Sequence, residues 1–289
     1  MQSSTPDADP PHGILVVAGA PIGNVADASS RLGDYLRSAD VIAAEDTRRL
    51  RRLVSDLGIP LPGLVVSYYE AVEQRRIPDL LNRLHAGQTV LVISDAGMPA
   101  VSDPGYRLVA AASAAGIAVT AVPGPSAVLT ALAVSGLPSD RFAFEGFPPR
   151  RSGERGRWLE GLATEQRTWV FFESPRRIAT TLAEAAQSIG PQRPATLCRE
   201  MTKTHEQIVR GTLEELAAWA QHEVKGEITV VVAGAPAPDR LGNSAEWAAA
   251  VSAAEGQGRT RKEAIADTAR AHGVPKREVY QAVLDNRGS

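Results

Sequence analysis

Five short apolar, β-branched runs recur in the first half of the chain: Ile14–Ala20, Val41–Ala44, Val65–Ser67, Thr89–Ser94 and Ile117–Val122. Each is followed by a stretch of helical spacing, such as Asp27–Arg37 with Leu32, Tyr35 and Leu36 on one side. Strands separated by helices run parallel in one sheet, and such a sheet is covered on both faces. The chain is therefore expected to be α/β. Ligands of open α/β sheets bind beyond the carboxyl ends of the strands, so the loops after these runs are where function is to be sought.

The most telling loop follows Thr89–Ser94. Asp95, Ala96, Gly97, Met98 and Pro99 make a sharp turn with exposed backbone groups, and Asp103-Pro104 reads as the cap and first turn of a helix ending at Ala115 before Gly116. The first strand runs into Pro21-Ile22-Gly23-Asn24. The second ends in Glu45-Asp46-Thr47-Arg48-Arg49, where Asp46 caps a helix or two carboxylates meet a basic cluster. The fifth ends in Pro123-Gly124-Pro125-Ser126, so the amides of a helix beginning at Ser126 also lie at a strand's carboxyl end.

A break at Gly136-Leu137-Pro138-Ser139-Asp140 places a domain boundary after residue 137. The second half offers strands at Arg141–Phe144, Thr168–Phe172, Ala195–Cys198 and Ile228–Ala233, and Thr212 with Glu215 makes a capping box. Arg150, Arg151, Arg155 and Arg157 follow Phe147-Pro148-Pro149. They form the densest basic patch beside aromatic residues, either a solvated helix face or a nucleic-acid contact. Glu173-Ser174-Pro175-Arg176-Arg177 and Arg199-Glu200-Met201-Thr202-Lys203-Thr204 end two further strands. A Pro/Gly linker at Gly234–Gly242 leads to a helical tail with a second capping box at Thr260 and Glu263, and a turn at His272–Pro275. That pair of helices is either a packed hairpin or a nucleic-acid-docking element. The expected division is a disordered tail at 1–12, α/β domains at 13–137 and 138–234, and a helical extension at 243–289.

Net charge is −2, so any nucleic-acid contact must be a local patch. Cys198 is the single cysteine, and the five histidines are scattered without metal-ligand spacing, so neither a disulfide nor a metal site is expected. Met1–His12 has no basic or apolar core and is not read as a signal peptide. No apolar run reaches membrane-spanning length. The single cysteine suits a reducing cytosol.

Taken together, Pro21–Asn24, Ala43–Arg48, Ser94–Pro99 with Ser102–Gly105, Pro123–Ser126 and Arg199–Thr204 resemble, in order and spacing, the tetrapyrrole-methylase superfamily of S-adenosylmethionine-dependent methyltransferases. More narrowly, the chain resembles the small-subunit ribosomal RNA methyltransferase I branch, which methylates a ribose 2'-oxygen of a decoding-centre cytidine in 16S rRNA. The resemblance implies two α/β domains of the class III methyltransferase type with a cleft between them, and a homodimer. It implies S-adenosylmethionine as cofactor and 16S rRNA or the small ribosomal subunit as partner. By it, Pro21, Asp95, Ala96, Gly97, Met98, Pro99, Ser126 and Ala127 would line the cofactor site from the first domain, with Phe172 and Cys198 closing it from the second. Two departures remove hydroxyls: Ala20 and Met98 stand where the branch usually has Thr. Tetrapyrrole-modifying relatives usually carry a glycine-rich first loop in place of Pro-Ile-Gly-Asn, which argues against a porphyrinoid substrate.

Methyl transfer to a ribose hydroxyl is a one-step displacement that benefits from a base or a stabilising cation. Lys203 and Glu200, then Glu173, are the candidate catalytic residues; the alternative for the first two is an Arg199–Glu200 salt bridge and a solvated Lys203. Arg150, Arg151, Arg176 and Arg177 would hold rRNA phosphates. The competing functions are a superfamily methyltransferase acting on a tetrapyrrole or protein side chain, and a non-catalytic nucleic-acid-binding regulator. A dinucleotide-binding protein is disfavoured because the first strand lacks G-x-G-x-x-G.

Overall fold

The structure, a computed structural model, describes residues 13–61, 63–222, 224–236 and 242–286. The expected tail at 1–12 and much of the linker, 237–241, lie outside the described residues. The chain divides into two compact units, Met1–Gly234 and Ala235–Ser289.

In the first unit, β1 (Ile14–Ala18), β2 (Val41–Ala44), β3 (Leu64–Ser67), β4 (Val90–Ile93) and β5 (Ala118–Val122) form an all-parallel sheet of order β3-β2-β4-β1-β5. Alternate residues feed opposite cores, as a period of two requires. Val16, Ile42 and Leu91 meet Leu32 and Leu36 of α1 (Ser30–Ser38) and Leu50 and Val54 of α2 (Thr47–Asp56). Leu15, Val41 and Val90 meet Leu80 and Leu84 of α3 (Glu70–His85) and Leu108 of α4 (Tyr106–Ala114). The helices after β1 and β4 thus lie on opposite faces although these strands are neighbours. Their carboxyl-end loops diverge there and open a crevice at a topological switch point.

Two helix starts differ from expectation. The segment expected as helix from Asp27 makes one 3-10 turn, Val25–Asp27, before α1 starts after its cap Ser29. The helix expected from Asp103 starts at Tyr106, with Gly105 as its cap at φ 139°. That backbone conformation is open to glycine and cannot continue a helix, so Asp103 is no helix cap.

The second sheet is mixed: β6 (Phe142–Phe144), β7 (Thr168–Glu173), β8 (Pro194–Arg199), β9 (Gln207–Thr212) and β10 (Ile228–Val232), ordered β6-β7-β10-β8-β9. Only β6 and β7 pair in parallel. One face packs Trp169, Phe171, Leu197 and Val230 under α6 (Ser152–Leu162), α7 (Ile178–Ile189) and α8 (Leu213–Trp219). The other presents Val170, Cys198 and Val231 to Val128, Ala131 and Leu132 of α5 (Ala127–Ser135), with Ile22 and Met201 in the same cluster. The helix α5 precedes residue 137 in sequence yet covers the second sheet, so an apolar seam joins the two layers. The Thr212–Glu215 capping box is present at α8.

The second unit consists of α9 (Ser244–Gly256), α10 (Arg261–Ala271) and α11 (Lys276–Asp285) around Trp247, Val251, Ile265, Val279 and Val283. Asn243–Glu246 and Thr260–Glu263 capping boxes start its first two helices. No helix of the described residues is long and apolar enough to cross a membrane.

Candidate active site

The loops after β1 and β4 are joined by a two-way backbone bridge. The Ala20 amide donates to the Gly97 carbonyl at 2.8 Å and the Gly97 amide donates back at 3.0 Å. Gly97 has φ 72°, the left-handed region that favours glycine. Because this bridge is backbone, it forms at Ala20 without the hydroxyl that position lacks. Ala20 is buried at 1% exposure. The Met98 sulfur packs at Gly19, where an added Cβ would come within 2.7 Å of it.

Pro21-Ile22-Gly23-Asn24 reaches across to the second layer. Ile22 enters the apolar seam, and the Asn24 amide donates to Thr202 Oγ1 at 3.1 Å. A Cβ at Gly23 would lie 2.5 Å from Lys203 Cγ and 2.7 Å from Thr202 Oγ1. The first loop and the Met201–Lys203 loop are therefore fitted to one another, which is a physical reason for the two motifs to occur in one chain.

Between these loops lies a cleft of about 390 Å3, within the ~300–1,000 Å3 of small-molecule pockets. Ala96, Gly97, Met98 and Asp103 line it from the parallel layer, Ser126, Ala127 and Val128 from the start of α5, and Phe172, Met201 and Glu227 from the mixed layer. Ser126 caps α5 by accepting from the Leu129 amide. The Ala127 and Val128 amides belong to the first turn, whose N–H groups have no intrahelical partner. The lining holds three carboxylates, Asp103, Glu173 and Glu227, and no Lys, Arg or His.

Six of the expected cofactor residues meet at this cleft: Ala96, Gly97, Met98, Ser126, Ala127 and Phe172. Pro21 and Asp95 instead line a separate cavity of about 50 Å3 with Glu45, Asp46 and Arg49. Asp95 accepts from the Asp46 amide at 3.0 Å and faces Arg49 Nε at 3.4 Å, while Glu45 accepts from the Asp95 amide at 3.1 Å. These bonds tie the ends of β2 and β4. Burial raises the Asp95 carboxyl, with Arg49 working against it. Asp46 caps α2, and hydrogen bonds from Arg48 hold it well below the usual carboxylate range. Pro99 is buried in the loop and off the cleft wall. Cys198 is wholly buried in the seam, also off the wall, and burial pushes its thiol up to about 11.

The candidate catalytic residues are placed in structural bonds. Glu173 reaches the cleft but is 3% exposed. It accepts from the Ser174 amide at 2.7 Å, Arg177 Nη2 at 2.9 Å and Thr181 Oγ1 at 2.8 Å. Lys203 Nζ donates to Glu200 at 2.7 Å and to Glu227 at 2.6 Å. Burial opposes its charge, but those two carboxylates more than offset this and raise it, so the group is held as an ammonium. The Lys203 hydrogen bond lowers Glu200, and neither residue is on the cleft wall. Gly226, at φ 90°, makes room for Glu200: a Cβ there would lie 2.4 Å from its carboxyl group.

Of the three cleft carboxylates, sequence reasoning missed Glu227, which Lys203 neutralises, and Asp103. Burial, with the Glu45 charge adding to it, pushes the Asp103 carboxyl up to about 7. The signal for Asp103 was Gly105, since a glycine directly after Asp-Pro delays the helix and leaves the aspartate in the loop. Among the described residues, the non-glycine residues with positive φ are Ala100, Ser102, Glu200 and Thr202. All four lie in the two loops flanking the cleft, where stored strain marks function.

Beside the cleft runs a groove of about 670 Å3 that shares Phe147, Glu173, Ser174 and Pro175 with it and adds Arg150, Arg176 and Arg177. Arg150 and Arg176 are exposed. Arg177 is committed to Glu173 and to the Pro148 carbonyl at 2.7 Å, so it frames the groove. Arg151 is exposed at the start of α6 and pairs with Glu154 at 3.3 Å. Arg155, expected in the basic patch, is buried on Glu184 at 2.6 Å and is part of the core. Phe147 is 60% exposed, edge-on to Phe172 with ring centroids 5.5 Å apart.

A parallel and a mixed α/β layer joined around a cleft at strand ends form a fold found in a class of solved methyltransferases. Solved structures of that class superpose on the chain. The methyltransferase CobJ matches with TM-score 0.58 and 22% identity, covering 80% of this chain and 97% of its own. A uroporphyrin-III C-methyltransferase from Thermus thermophilus, solved with S-adenyl homocysteine, matches with TM-score 0.53 and 21% identity over 76% and 96%. Residues 14–217 match the family model for Tetrapyrrole (Corrin/Porphyrin) Methylases. Proteins named ribosomal RNA small subunit methyltransferase I are similar over nearly the whole chain. That of Mycobacterium tuberculosis (strain CDC 1551 / Oshkosh) is 52% identical over 276 residues, 95% of this chain and 96% of its own. That of Escherichia coli O157:H7 is 39% identical over 285 residues, 97% and 98% respectively. The chain therefore belongs to the tetrapyrrole methylase family, within the branch of these relatives, and is a methyltransferase.

Proposed function

We propose that this methyltransferase transfers the methyl group of S-adenosylmethionine to the ribose 2'-oxygen of a decoding-centre cytidine in 16S rRNA. The observation that carries this reading is the division of charge across the site. No cationic side chain lines the cleft, so nothing on its wall repels a ligand bearing a sulfonium and an ammonium. The groove that opens from it presents Arg150 and Arg176 beside an exposed Phe147, which suits phosphates and an unstacked base. The name shared by the relatives in Mycobacterium tuberculosis and Escherichia coli supports the same acceptor.

S-adenosylmethionine fits the residues present. Gly97 brings the β4 loop backbone to the cleft, the first-turn amides of α5 would receive its carboxylate, and Met98, Met201 and Phe172 offer apolar walls to the adenosyl group. When bound, it supplies an activated methyl group. The protein's task is to hold the acceptor oxygen in line and to exclude water, which is where much of the acceleration of such displacements arises. The enzyme works in the cytoplasm, as a homodimer, on the small ribosomal subunit or its RNA. The test offers labelled S-adenosylmethionine to 30S subunits and to porphyrinoids in parallel, then maps the labelled nucleotide. Label on one cytidine ribose of 16S rRNA is the expected result, and label only on the porphyrinoid refutes the reading.

A further inference from the structure

We propose that the Asp103 carboxylate is the group that accepts the proton of the attacking ribose hydroxyl. The inference rests on the ribose-methylation reading above. Three carboxylates line the cleft. Glu173 is saturated by an amide, a guanidinium and a hydroxyl. Glu227 is neutralised by Lys203. None of the ion pairs among the described residues involves Asp103. The groups that act on its proton are the Ser94 hydroxyl, which lowers its carboxyl, and the carboxyls of Glu45 and Asp95, which raise it. Arg49, the cation beside Glu45 and Asp95, is engaged by Asp95. Among the described residues no three such groups are arranged to hold a metal ion. Asp103 is thus a half-buried carboxyl at the cleft wall whose burial and acidic neighbours favour its taking up a proton. Its proton affinity, raised to about 7, is matched to base catalysis at neutral pH.

The backbone around it is held in place at both ends. Ala100 and Ser102 are left-handed, and the Ala100 amide closes the loop on the Pro104 carbonyl at 3.2 Å. Glu73, 5% exposed on α3, anchors the far end by accepting from the Gly105 amide at 3.0 Å and from the Tyr68 hydroxyl at 2.9 Å. In the reaction the hydroxyl proton moves to an Asp103 oxygen, and the oxygen pair so released forms the bond to the methyl carbon. The carbon–sulfur pair returns to sulfur. A sulfonium and a carboxylate enter; a thioether and a carboxylic acid leave, and the acid then loses its proton to water.

The test compares full-length wild type with Asp103→Asn on 30S subunits. Single-turnover methyl transfer at saturating S-adenosylmethionine is expected to fall more than about 100-fold. Calorimetric affinity for S-adenosylhomocysteine is expected to stay within about threefold of wild type. The wild-type rate should drop as pH falls through an acid limb at or below 7, since a bound sulfonium favours the anion, and the variant should lack that limb. Melting reports folding independently. Ionising Asp103 destabilises the folded state, so the variant should melt higher than wild type at pH 8 and equally at pH 4. Transfer within about threefold of wild type overturns the proposal. So does a parallel loss of S-adenosylhomocysteine affinity that accounts for the whole effect, or a wild-type profile without the acid limb. A wild type that leaves 16S rRNA unmethylated overturns the substrate reading, and the role of Asp103 with it.

Discussion

Two loops flank the cleft, and both carry left-handed non-glycine residues: Ala100 and Ser102 in one, Glu200 and Thr202 in the other. They differ in how their charges are met. In the Glu200–Lys203 loop every ionised group has a partner, with Lys203 spanning Glu200 and Glu227 and Thr202 Oγ1 accepting from Asn24. In the Ala100–Gly105 loop the neutralising contact lies behind, at Glu73 and Arg107, 3.6 Å apart, and Asp103 faces the cleft without a cation. Strain is common to both loops, so strain alone does not say which one performs chemistry. The unneutralised carboxylate does. The first loop is built to react and the second to clasp the two layers together.

The largest stability effect that sharpens this contrast is expected at Glu173. Replacing it with Ala leaves Arg177 without its carboxylate and should cost about 3–5 kcal/mol in chemical denaturation, although Glu173 lies on the cleft wall. Gly226→Ala forces a Cβ against Glu200 at a φ of 90° and should cost about 1–3 kcal/mol while loosening the clasp. Glu73→Ala strands the Tyr68 hydroxyl and the Gly105 amide. It should cost about 1–3 kcal/mol and lower kcat more than it raises KM for RNA, because it frees the loop that carries Asp103. Lys203→Met removes the ammonium between two carboxylates; about 1–2 kcal/mol of stability is expected to go, with turnover reduced less than by Asp103→Asn. A reversed order would make the clasp the reactive loop. The smallest effect is at the groove. Arg150→Ala and Arg176→Ala should each weaken RNA binding and lower its salt slope by about one, with no change in S-adenosylhomocysteine affinity. An unchanged slope removes that arginine from the RNA path.

The parallel layer was legible in the sequence because Ile14–Ala18, Val41–Ala44 and Val90–Ile93 are apolar on both faces, and a parallel strand buried twice leaves no other pattern. The mixed layer was less so. Gln207–Thr212, at a sheet edge, mixes Gln, Arg, Gly and Thr with two apolar residues, and was read only for the cap at Thr212. The helix α5 was counted with the layer that precedes it in sequence, because nothing in Ala127–Ser135 tells which sheet it will cover. At the site, Gly97 and the Ser126 cap report their own local geometry and both lie at the cleft, whereas Pro21 and Pro99 fall off its wall. Residues whose role depends on a partner were harder to place. Lys203 and Glu200 were weighed as catalysts, or as an Arg199–Glu200 salt bridge beside a solvated lysine, whereas Glu200 pairs with Lys203 itself; Arg155 stood in a surface patch until Glu184 came to it from α7. Asp103 looked like a cap because Asp-Pro commonly is one; Gly105 moved the helix start past it.

The most direct measurement is single-turnover methyl transfer by Asp103→Asn and Lys203→Met side by side, at saturating S-adenosylmethionine on 30S subunits. The expected result is a loss of more than about 100-fold for the first and less than about tenfold for the second. A Lys203 variant that is the more severely impaired, with Asp103→Asn near wild type, would contradict the assignment of chemistry to one loop and clasping to the other.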